Sequence, residues 1–346
     1  MGAINRREVK TTGVHLTEIG LGGAPLGSMR TLVSEEDATA TLAAAWESGI
    51  RYFDTAPWYG RGLSERRFGT FLAGKPRDQF VISTKVGRLL QPLTDPKHFD
   101  PAPWAGSLPF DTAFDYTYDG IMRAFEDSLQ RLGLPSIDLL LVHDLDSGYH
   151  RPAEKLDAYW AQLATSGWRA LQHLRDSHTV RGIGAGINYV GLIPRFLDNF
   201  DVDLFLLASP YTLLDQGALE SELPLCVERN VGIVIGAVFN SGILATGATD
   251  HAQYNYSDAD SAVVHKVRRI QSVCEQYATS VRAAALQFPL AHPAVVSVIP
   301  GAFAPEQVQQ NVQEFQKAIP DDLWGELKQQ GLIAEGAPTP RVAVKR

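Results

Sequence analysis

The sequence predicts an α/β protein, a (β/α)8 TIM barrel with an N-terminal β-hairpin and long loops over its C-terminal face. Eight short apolar segments alternate with helical segments along the 346 residues. The interior apolar segments are almost continuous, which is typical of strands that are buried on both faces of a parallel sheet. This alternation favours a closed barrel over an open, doubly wound sheet. No linker, low-complexity tract or charged block divides the chain, so we expect residues 1–346 to form a single domain.

Turn and capping residues mark the first elements. Residues 6–17 alternate weakly in polarity around a Thr-Gly pair, which is a hairpin signal. Residues 18–27 predict a first barrel strand that runs into a glycine-rich loop. In residues 34–48, Ser34 is a suitable N-cap, acidic residues occupy the first turn and a glycine follows the end, so we predict a helix there.

The unit of strand and helix then repeats towards the end of the chain. The long helix predicted at 157–177 is expected to be weakened at Gly167. The predicted barrel strands begin near residues 18, 50, 80, 137, 180, 203, 231 and 294. Further helices are predicted over residues 64–73, 118–132, 157–177, 193–199, 222–229, 260–277 and 280–291.

Two segments are too long to be simple connections in such a fold. Residues 87–119 combine prolines with aromatic side chains, and residues 242–259 include Tyr254 and Tyr256. We expect both to be long loops without secondary structure, which in compact domains are usually functional. Because both follow strands, a barrel would place them over the same rim, where the active sites of barrels form.

Composition and charge narrow the possible functions. The net charge is −8 and no stretch is both basic and aromatic, so we expect no nucleic-acid partner. No apolar run reaches membrane-spanning length and the N-terminus lacks a secretory apolar core, so we expect a cytoplasmic protein without membrane contact. The two cysteines, Cys226 and Cys274, make a disulfide framework or a zinc site implausible, and we expect no metal. The sequence leaves the oligomeric state open.

Polar side chains stand at the ends of three consecutive predicted strands. Asp54 and Tyr59 follow the second strand, Lys85 ends the third and His143 ends the fourth. Singly, each has an ordinary structural explanation, such as a cap or turn residue, a buried ion pair of Lys85 with Asp54, or a hydrogen-bonded core histidine. The strand ends of a barrel converge on one face, so we expect the four side chains to meet there as a reaction centre.

Short motifs in a consistent order and spacing extend this pattern along nearly the whole chain. They are Gly20-Leu-Gly, Asp54-Thr-Ala, Tyr59-Gly, Leu63-Ser-Glu, Ser83-Thr-Lys85, Leu129-Gln-Arg-Leu-Gly133, Asp138 to His143, Ile299-Pro-Gly301 and Asn311. In these motifs the sequence resembles the aldo-keto reductases. The resemblance implies a (β/α)8 barrel that transfers hydride with a nicotinamide cofactor and uses an Asp-Tyr-Lys-His tetrad. That tetrad corresponds to Asp54, Tyr59, Lys85 and His143.

Longer motifs indicate a group within the family. They are Trp58 to Glu65, Val142 to Asp146, Tyr211 to Asp215 and Phe239 to Leu244. These stretches are similar to the group that contains D-threo-aldose 1-dehydrogenases, also called L-fucose dehydrogenases, and a pyridoxal 4-dehydrogenase. The resemblance therefore implies a dehydrogenase that acts on a small molecule.

The resemblance gives each member of the tetrad a role. The pKa of a free tyrosine is about 10, too high for an efficient base at neutral pH. The ammonium of Lys85 beside Tyr59 would favour the phenolate, and Asp54 would hold the lysine charge in place. Tyr59 is therefore the expected general base in oxidation. His143 would orient the substrate oxygen, and Trp58 would stack on the substrate.

The expected cofactor contacts depart from the usual pattern of the family. Asn188 remains from a Ser-Asn pair after the fifth strand and is the expected carboxamide partner. The usual glutamine of the sixth strand falls at or beside Ala208, so Ser209 could substitute for it. The tyrosine that commonly stacks on nicotinamide falls near Phe239, which could equally be a core aromatic. Ser241 is expected to join this group of contacts.

The region after the last strand bears on the choice between NAD and NADP. Relatives that depend on NADP carry Lys, Ser and Arg there, which suit a 2′-phosphate. The corresponding residues are Gly301, Ala302 and Gln307, none of which can neutralise a dianion. We therefore predict NAD in preference to NADP, with Gln307, Gln310 and Asn311 near the adenosine.

The expected reaction is NAD-dependent oxidation of the C1 hydroxyl of an aldose, L-fucose or another D-threo-aldose, to the lactone. The alternative within the same chemistry is oxidation of pyridoxal to 4-pyridoxolactone. Two alternatives belong to other classes: a non-catalytic nucleotide-binding sensor subunit, and a metal-dependent barrel hydrolase suggested by the His143-Asp144 pair. The complete tetrad argues against the first, and the lack of a His-x-His pair in the early strands argues against the second.

Overall fold

The computed structural model describes residues 2–249, 252–254 and 257–341. A π-helical turn at Leu163–Gly167 joins two of the helices. The strands of these ranges are β1 (Arg6–Val9), β2 (Val14–Thr17), β3 (Leu21–Gly22), β4 (Tyr52–Asp54), β5 (Val81–Val86), β6 (Arg88–Pro92), β7 (Phe110–Phe114), β8 (Leu139–His143), β9 (Gly182–Ile187), β10 (Leu204–Ala208), β11 (Gly232–Gly236), β12 (Gln253–Tyr254), β13 (Ser257–Asp258) and β14 (Val295–Val298). The helices are α1 (Glu35–Glu47), α2 (Leu63–Leu72), α3 (Tyr118–Leu132), α4 (Ala153–Gln162), α5 (Trp168–Asp176), α6 (Leu192–Asn199), α7 (Glu222–Glu228), α8 (Ile243–Thr246), α9 (Ser261–Gln276), α10 (Val281–Gln287), α11 (Pro305–Phe315) and α12 (Asp321–Gln329).

The barrel is one parallel sheet that closes on itself. Within the described ranges, its eight strands are ordered β14-β11-β10-β9-β8-β5-β4-β3. The two ends of this order meet because Ile19 pairs in parallel with Val298, and Gly22 with Gly301. The amide of Gly20 adds a hydrogen bond to the carbonyl of Val298 over 2.8 Å. The predicted (β/α)8 barrel is therefore confirmed, and each barrel strand begins within a few residues of its predicted start.

The apolar core has two layers, one inside the barrel and one outside. Inside, buried side chains of the barrel strands pack on the β1–β2 hairpin, whose Val9, Val14 and Leu16 have no exposed surface. Arg7 of the hairpin donates to the carbonyl of Val295 in β14 over 3.0 Å. Outside, the helices cover the sheet with a second and larger apolar cluster. The hairpin thus fills the N-terminal end of the barrel, and a site can form at the opposite end.

The segment at 87–119 is not the irregular loop that the sequence predicts. Strands β6 and β7 pair there as an antiparallel hairpin, with Arg88 opposite Phe114. Gly87 makes the turn into β6 possible, because its φ is +93° and a Cβ at this position would lie 2.3 Å from the ring of Tyr116. The hairpin carries its charged and aromatic side chains over the C-terminal face, as the predicted loop would have done.

The second long segment, 242–259, also contains secondary structure. It begins with α8 and continues with the antiparallel pair β12–β13. Tyr254 belongs to β12, whereas Tyr256 lies outside the described residues. The prediction of a loop without secondary structure is therefore wrong for both long segments, because short local pairing is hard to recognise in a sequence without regular alternation.

The long helix predicted over 157–177 is interrupted by the π-helical turn. Helix α4, this turn and α5 follow one another without a break from Ala153 to Asp176. A Cβ at Gly167 would lie 1.9 Å from the carbonyl oxygen of Tyr116. The glycine therefore serves a close approach of two backbones, and the helix bulges at this point as a π-turn.

The two cysteines are buried side chains on helices. Cys226 lies on α7 and Cys274 on α9, and neither forms a disulfide. Burial raises the pKa of each thiol to about 12. Separately, no helix in the described part of the chain has both the length and the apolar character needed to span a membrane.

Candidate active site

The side chains of the predicted tetrad lie near the carboxyl ends of three neighbouring barrel strands. Asp54 ends β4, Lys85 is the fifth residue of β5, and His143 ends β8. In the parallel register, Asp54 lies opposite Ser83, and Lys85 opposite Leu141. The three polar side chains therefore lie at a similar height on adjacent strands.

Asp54 and Lys85 form a buried ion pair. Lys85 Nζ donates to Asp54 Oδ2 over 2.7 Å and to the carbonyl of Thr55 over 2.9 Å. Ser83 Oγ donates to the other carboxylate oxygen over 2.7 Å. Burial raises the pKa of Asp54, whereas Lys85 and Ser83 oppose that rise. The carboxylate holds the lysine ammonium in one position.

Tyr59 lies on the loop between β4 and α2, close to this ammonium. The centroid of the Tyr59 ring is 4.7 Å from Lys85 Nζ. It is 5.8 Å from the ring centroid of Trp104 and 5.9 Å from that of His143. The path of the loop depends on Gly27, where a Cβ would lie 2.6 Å from the carbonyl carbon of Tyr59. The ammonium, the phenol ring and the imidazole therefore form one cluster.

His143 is buried and neutral. Burial lowers its pKa well below the usual range, and the charges of Lys85 and Arg88 add to this effect. Its backbone is held by the Tyr116 hydroxyl, which donates to the carbonyl of His143 over 2.8 Å. A neutral imidazole has one N–H, so the side chain can donate one hydrogen bond to a substrate oxygen.

A second buried ion pair, Arg88 with Asp144, lies beside the tetrad. Arg88 Nη2 donates to Asp144 Oδ2 over 2.8 Å, and each residue is 3% exposed. The guanidinium lies over the rings of Trp58, at 4.2 Å, and Tyr149, at 4.8 Å. The sequence analysis missed this pair because Arg88 lies in the segment expected to be an irregular loop. The sequence signal that could have revealed this pair was Asp144, an acidic residue that directly follows His143 at the end of an apolar strand.

A cavity of about 530 Å³ opens over these groups. Three tetrad residues line it, and Asp54 lies behind Lys85. Trp58, which the sequence predicts to contact the substrate, also belongs to the lining. The principal side chains of the lining are Trp58, Tyr59, Lys85, Trp104, His143, Asp144, Tyr149, Asn188, Tyr189 and Ser209.

Of the residues predicted to bind the cofactor after β9, β10 and β11, two line the cavity and one packs in the apolar core. Asn188 and Ser209 line the cavity. Asn188 Nδ2 donates to Asp144 Oδ1 over 3.3 Å and to a carboxylate oxygen of Asp146 over 3.2 Å. Phe239 follows β11, is 9% exposed and packs in the outer apolar cluster, as its alternative interpretation as a core aromatic expects.

The residues predicted near the adenosine lie after β14 and on α11, apart from the tetrad. Gly301 and Gln310 are exposed, and the side-chain oxygen of Gln307 accepts from the backbone amide of Phe303, in the loop before α11, over 3.0 Å. Asn311 is buried, and its Oδ1 accepts from Arg282 Nη1 over 2.8 Å. Arg282 is a cation that the sequence analysis did not connect with this region.

The sequence matches the profile of the Aldo/keto reductase family over residues 18–331. The chain belongs to the aldo-keto reductase family. The resemblance predicted from the motifs is thereby confirmed. The protein is an oxidoreductase that acts on a small-molecule substrate, and the enzymes of this family use a nicotinamide cofactor.

Two relatives match almost the entire chain. A pyridoxal 4-dehydrogenase from Microbacterium luteolum is 43% identical over 341 residues, which cover 96% of this chain and 99% of the relative. A D-threo-aldose 1-dehydrogenase from a Pseudomonas species is 38% identical over 339 residues, which cover 95% of this chain and 97% of the relative. Both relatives belong to the group that the longer motifs indicated, so the assignment of this chain to that group is confirmed.

Solved structures of other aldo-keto reductases share the fold. A glycerol dehydrogenase from Gluconobacter oxydans superposes with a TM-score of 0.73 at 21% identity, covering 99% of this chain and 98% of that one. The holo form of an aldo-keto reductase from Bacillus halodurans gives a TM-score of 0.70 at 24% identity and covers 99% of each chain. At these identities, the likeness concerns the barrel architecture.

The loop after β11 contains a buried side chain that suits a cofactor of this family. Asn240 lies between Phe239 and Ser241 and is 1% exposed. Neither polar atom of its amide has a hydrogen-bond partner among the described residues. Buried polar groups are normally hydrogen-bonded, so this amide is suited to a polar ligand. The residues present on this side therefore fit a nicotinamide dinucleotide, and Asn240 is a candidate contact that the sequence analysis missed.

Proposed function

We propose that this aldo-keto reductase is an NAD-dependent dehydrogenase that oxidises the C1 hydroxyl of an aldose, L-fucose or another D-threo-aldose, to the lactone. The proposal rests on the 4.7 Å approach of Lys85 Nζ to the ring centroid of Tyr59, inside a cavity that also presents a neutral imidazole. The name of the 38% identical relative supports the substrate class. Aromatic and acidic side chains in the lining suit the apolar face and the hydroxyls of a sugar.

In this mechanism Tyr59 is the general base. The neighbouring ammonium of Lys85 favours the phenolate, and the phenolate takes the proton of the C1 hydroxyl. His143 donates its N–H to the same substrate oxygen and orients it. Asp54 keeps the lysine in place through the 2.7 Å ion pair. Asn188 and Ser209, which line the cavity, would hold a nicotinamide cofactor there, and that cofactor would supply the acceptor for the hydride that leaves C1.

NAD is the proposed form of the cofactor. Gly301, Ala302 and Gln307, at the positions where NADP-dependent relatives carry cations and donors, are uncharged. Arg282 donates from one terminal nitrogen to Asn311 over 2.8 Å and from the other to a backbone carbonyl over 3.1 Å. Two of the five N–H donors of Arg282 are therefore already engaged within the protein, which leaves this cation less available to a 2′-phosphate.

Oxidation of pyridoxal to 4-pyridoxolactone is the second candidate. It is favoured by the 43% identity to a pyridoxal 4-dehydrogenase. The same tetrad would act on the cyclic hemiacetal of pyridoxal. Trp58 and Trp104, whose ring centroids are 5.5 Å apart, could contact a pyridine ring as well as a sugar.

The proposal is tested by NADH formation with L-fucose, other D-threo-aldoses and pyridoxal, each offered with NAD and with NADP. We expect the highest kcat/KM for a D-threo-aldose with NAD. A higher kcat/KM for pyridoxal would support the second candidate. No turnover of any of these substrates would contradict both.

A further inference from the structure

We propose that Asp144 determines substrate specificity by accepting a hydrogen bond from a substrate hydroxyl on the carbon next to the one that is oxidised. This inference rests on the proposed oxidation at C1 and adds the substrate feature that the site requires. It assigns a function to the buried carboxylate that the tetrad mechanism leaves unused.

Asp144 lies where such a hydroxyl would be placed. It lines the cavity, and its Oδ1 is 3.5 Å from His143 Nε2. In the proposed mechanism the imidazole binds the oxygen on the carbon that is oxidised. The oxygens on adjacent carbons of a sugar are separated by a comparable distance. One substrate can therefore reach both side chains with neighbouring oxygens.

The carboxylate keeps acceptor capacity for a ligand. An ionised carboxylate has about four lone-pair sites. Arg88 occupies one on Oδ2 over 2.8 Å, and Asn188 occupies one on Oδ1 through a longer contact of 3.3 Å. A substrate hydroxyl can use a remaining site without displacing either partner.

The surroundings of Asp144 hold it rigidly and keep it charged. Arg88 is packed between the rings of Trp58, Phe114 and Tyr149, at 4.2, 4.4 and 4.8 Å, so the guanidinium that pairs with the carboxylate cannot easily move. Burial raises the pKa of Asp144 to about 6, which leaves most of the carboxyl ionised at neutral pH. The backbone of Asp144 has a φ of +54°, in the left-handed region, and such conformations concentrate at functional sites.

Asp146, two residues later, provides the contrast. It is 1% exposed, and its Oδ1 accepts from the amides of Gly148, over 2.8 Å, and Tyr149, over 3.3 Å. Its other oxygen accepts from Asn188 over 3.2 Å. These bonds, two from its own loop and one from Asn188, account for Asp146 without a ligand, whereas Asp144 lines the cavity.

The inference favours aldoses, whose C2 carries a hydroxyl beside C1. In pyridoxal, the ring carbon next to the oxidised carbon carries no hydroxyl. The apolar ring of Trp58 in the same wall suits the carbon face of a sugar. The site should therefore select a hydroxylated carbon next to the reacting one.

The test compares L-fucose with 2-deoxy-L-fucose on the wild type, Asp144→Ala, Asp144→Asn and Asp146→Asn, with NAD. A hydrogen bond to a charged group should make the kcat/KM of the wild type about 10–100-fold higher for L-fucose. Both Asp144 variants should lose most of this preference, and Asp146→Asn should keep it. Differences in intrinsic reactivity cancel because each preference is a ratio compared between variants. Asp144→Asn preserves the side-chain volume, so the test remains valid if Asp144→Ala fails to fold.

Equilibrium binding of both sugars to the enzyme loaded with NADH separates this inference from the proposed function. If the wild type binds L-fucose more tightly than its 2-deoxy analogue, the Asp144 variants lose that preference, and neither sugar is oxidised, the proposed function fails and Asp144 is shown only to bind the C2 hydroxyl. If the wild type oxidises both sugars equally well, the inference is overturned and the function stands. An equal preference in the wild type and both Asp144 variants would also overturn it.

Discussion

The two sides of the cavity are built in different ways. The tetrad side is formed by the ends of β4, β5 and β8 with the start of β6, and its charged side chains are buried in pairs. Lys85 pairs with Asp54 over 2.7 Å, and Arg88 with Asp144 over 2.8 Å. On this side the position of each charge is fixed by a side-chain partner.

The other side, formed by the residues after β10 and β11 and proposed to bind the cofactor, is shaped mainly by its backbone; we call it the cofactor side. Ser209, Ala237, Asn240 and Ser241 have φ values of 85°, 50°, 45° and 62°, in the region that favours glycine. Such conformations cost about 1–3 kcal/mol each and persist where the surrounding structure enforces them. This side offers turns and uncharged groups, so small side-chain changes should alter its specificity without affecting the chemistry.

The largest expected effect is on the tetrad side, from Tyr59→Phe. Loss of the general base should lower kcat by about 10²–10⁴-fold. Affinity for NADH, measured by fluorescence titration, should stay unchanged, because the cofactor side is untouched. Tyr118→Phe, which changes a tyrosine of α3 that bonds to His173, serves as the control and should keep full activity. Turnover by Tyr59→Phe close to that of the wild type would contradict the assignment.

Lys85→Met tests whether the buried ion pair between Lys85 and Asp54 stabilises the tetrad side. The substitution leaves Asp54 buried without its cation, and breaking a buried pair typically costs about 3–5 kcal/mol of unfolding free energy. Urea unfolding measures this loss. The double variant Lys85→Met with Asp54→Asn should recover much of the stability but none of the activity. A single variant as stable as the wild type would show that the ion pair is unimportant for the fold.

In the segment after β14, Gln307→Arg should increase the affinity for NADP. A charged hydrogen bond to the 2′-phosphate should strengthen NADP binding by about 10–100-fold. The affinity for NAD should change little, and kcat should be preserved. Gln313→Arg adds the same charge to an exposed position of α11 and is the matched control. A wild type that already prefers NADP would contradict the proposed cofactor.

Acidification should destabilise the protein through His150, a buried side chain whose Nε2 lies 3.0 Å from the Tyr116 hydroxyl that holds the backbone of His143. Burial lowers the pKa of His150 to about 4, whereas an unfolded histidine titrates near about 6.5. The folded state therefore binds fewer protons, so stability is complete above about pH 6.5 and is lost as the pH falls towards 4. Between pH 7 and 5 this group should remove about 2 kcal/mol of unfolding free energy.

Asp144 acts in the opposite direction over this range. Its pKa is raised to about 6, so the folded protein takes up this proton before the unfolded chain does and gains stability as the pH falls. Urea midpoints at pH 7 and pH 5 should therefore differ less for His150→Gln than for the wild type, and more for Asp144→Asn. Equal differences in all three proteins would contradict both assignments.

The smallest expected effect is a gain in stability from Ala237→Gly. Alanine at a φ of 50° is strained, and glycine should relieve about 1 kcal/mol of that strain. Ala185→Gly, at a buried position within β9, is the matched control and should destabilise the protein. If Ala237→Gly lowers the urea midpoint as much as Ala185→Gly does, Ala237 is not strained. Backbone strain then does not distinguish the cofactor side from the tetrad side.

The sequence predicted the barrel and the location of the tetrad because both follow from the same local pattern. A strand that is buried on both faces is continuously apolar, so a polar residue at its end, such as His143, is conspicuous. Convergence of strand ends then brings Asp54, Lys85 and His143 together without any knowledge of the loops. The assignment of roles to these residues stays a prediction until activity is measured.

Features that depend on contacts distant along the chain were not predictable in this way. Arg88 and Asp144 are 56 residues apart, and the hairpin that carries Arg88 has no regular alternation. The left-handed turns at Ser209 and Asn240 occur at residues other than glycine, so composition does not reveal them. The choice of substrate depends on these features, and the sequence motifs therefore left it open.

The β1–β2 hairpin affects how a proton could leave the active site. Val9 and Leu16 pack inside the barrel and close its N-terminal end. The cavity over Tyr59 is therefore reached from the C-terminal face. In the part of the chain that the structure describes, substrate and solvent would then reach Tyr59 from the same side. If Tyr59 takes the substrate proton as proposed, that proton would return to bulk water through the passage that the bound molecules occupy, and its release would be linked to the departure of product.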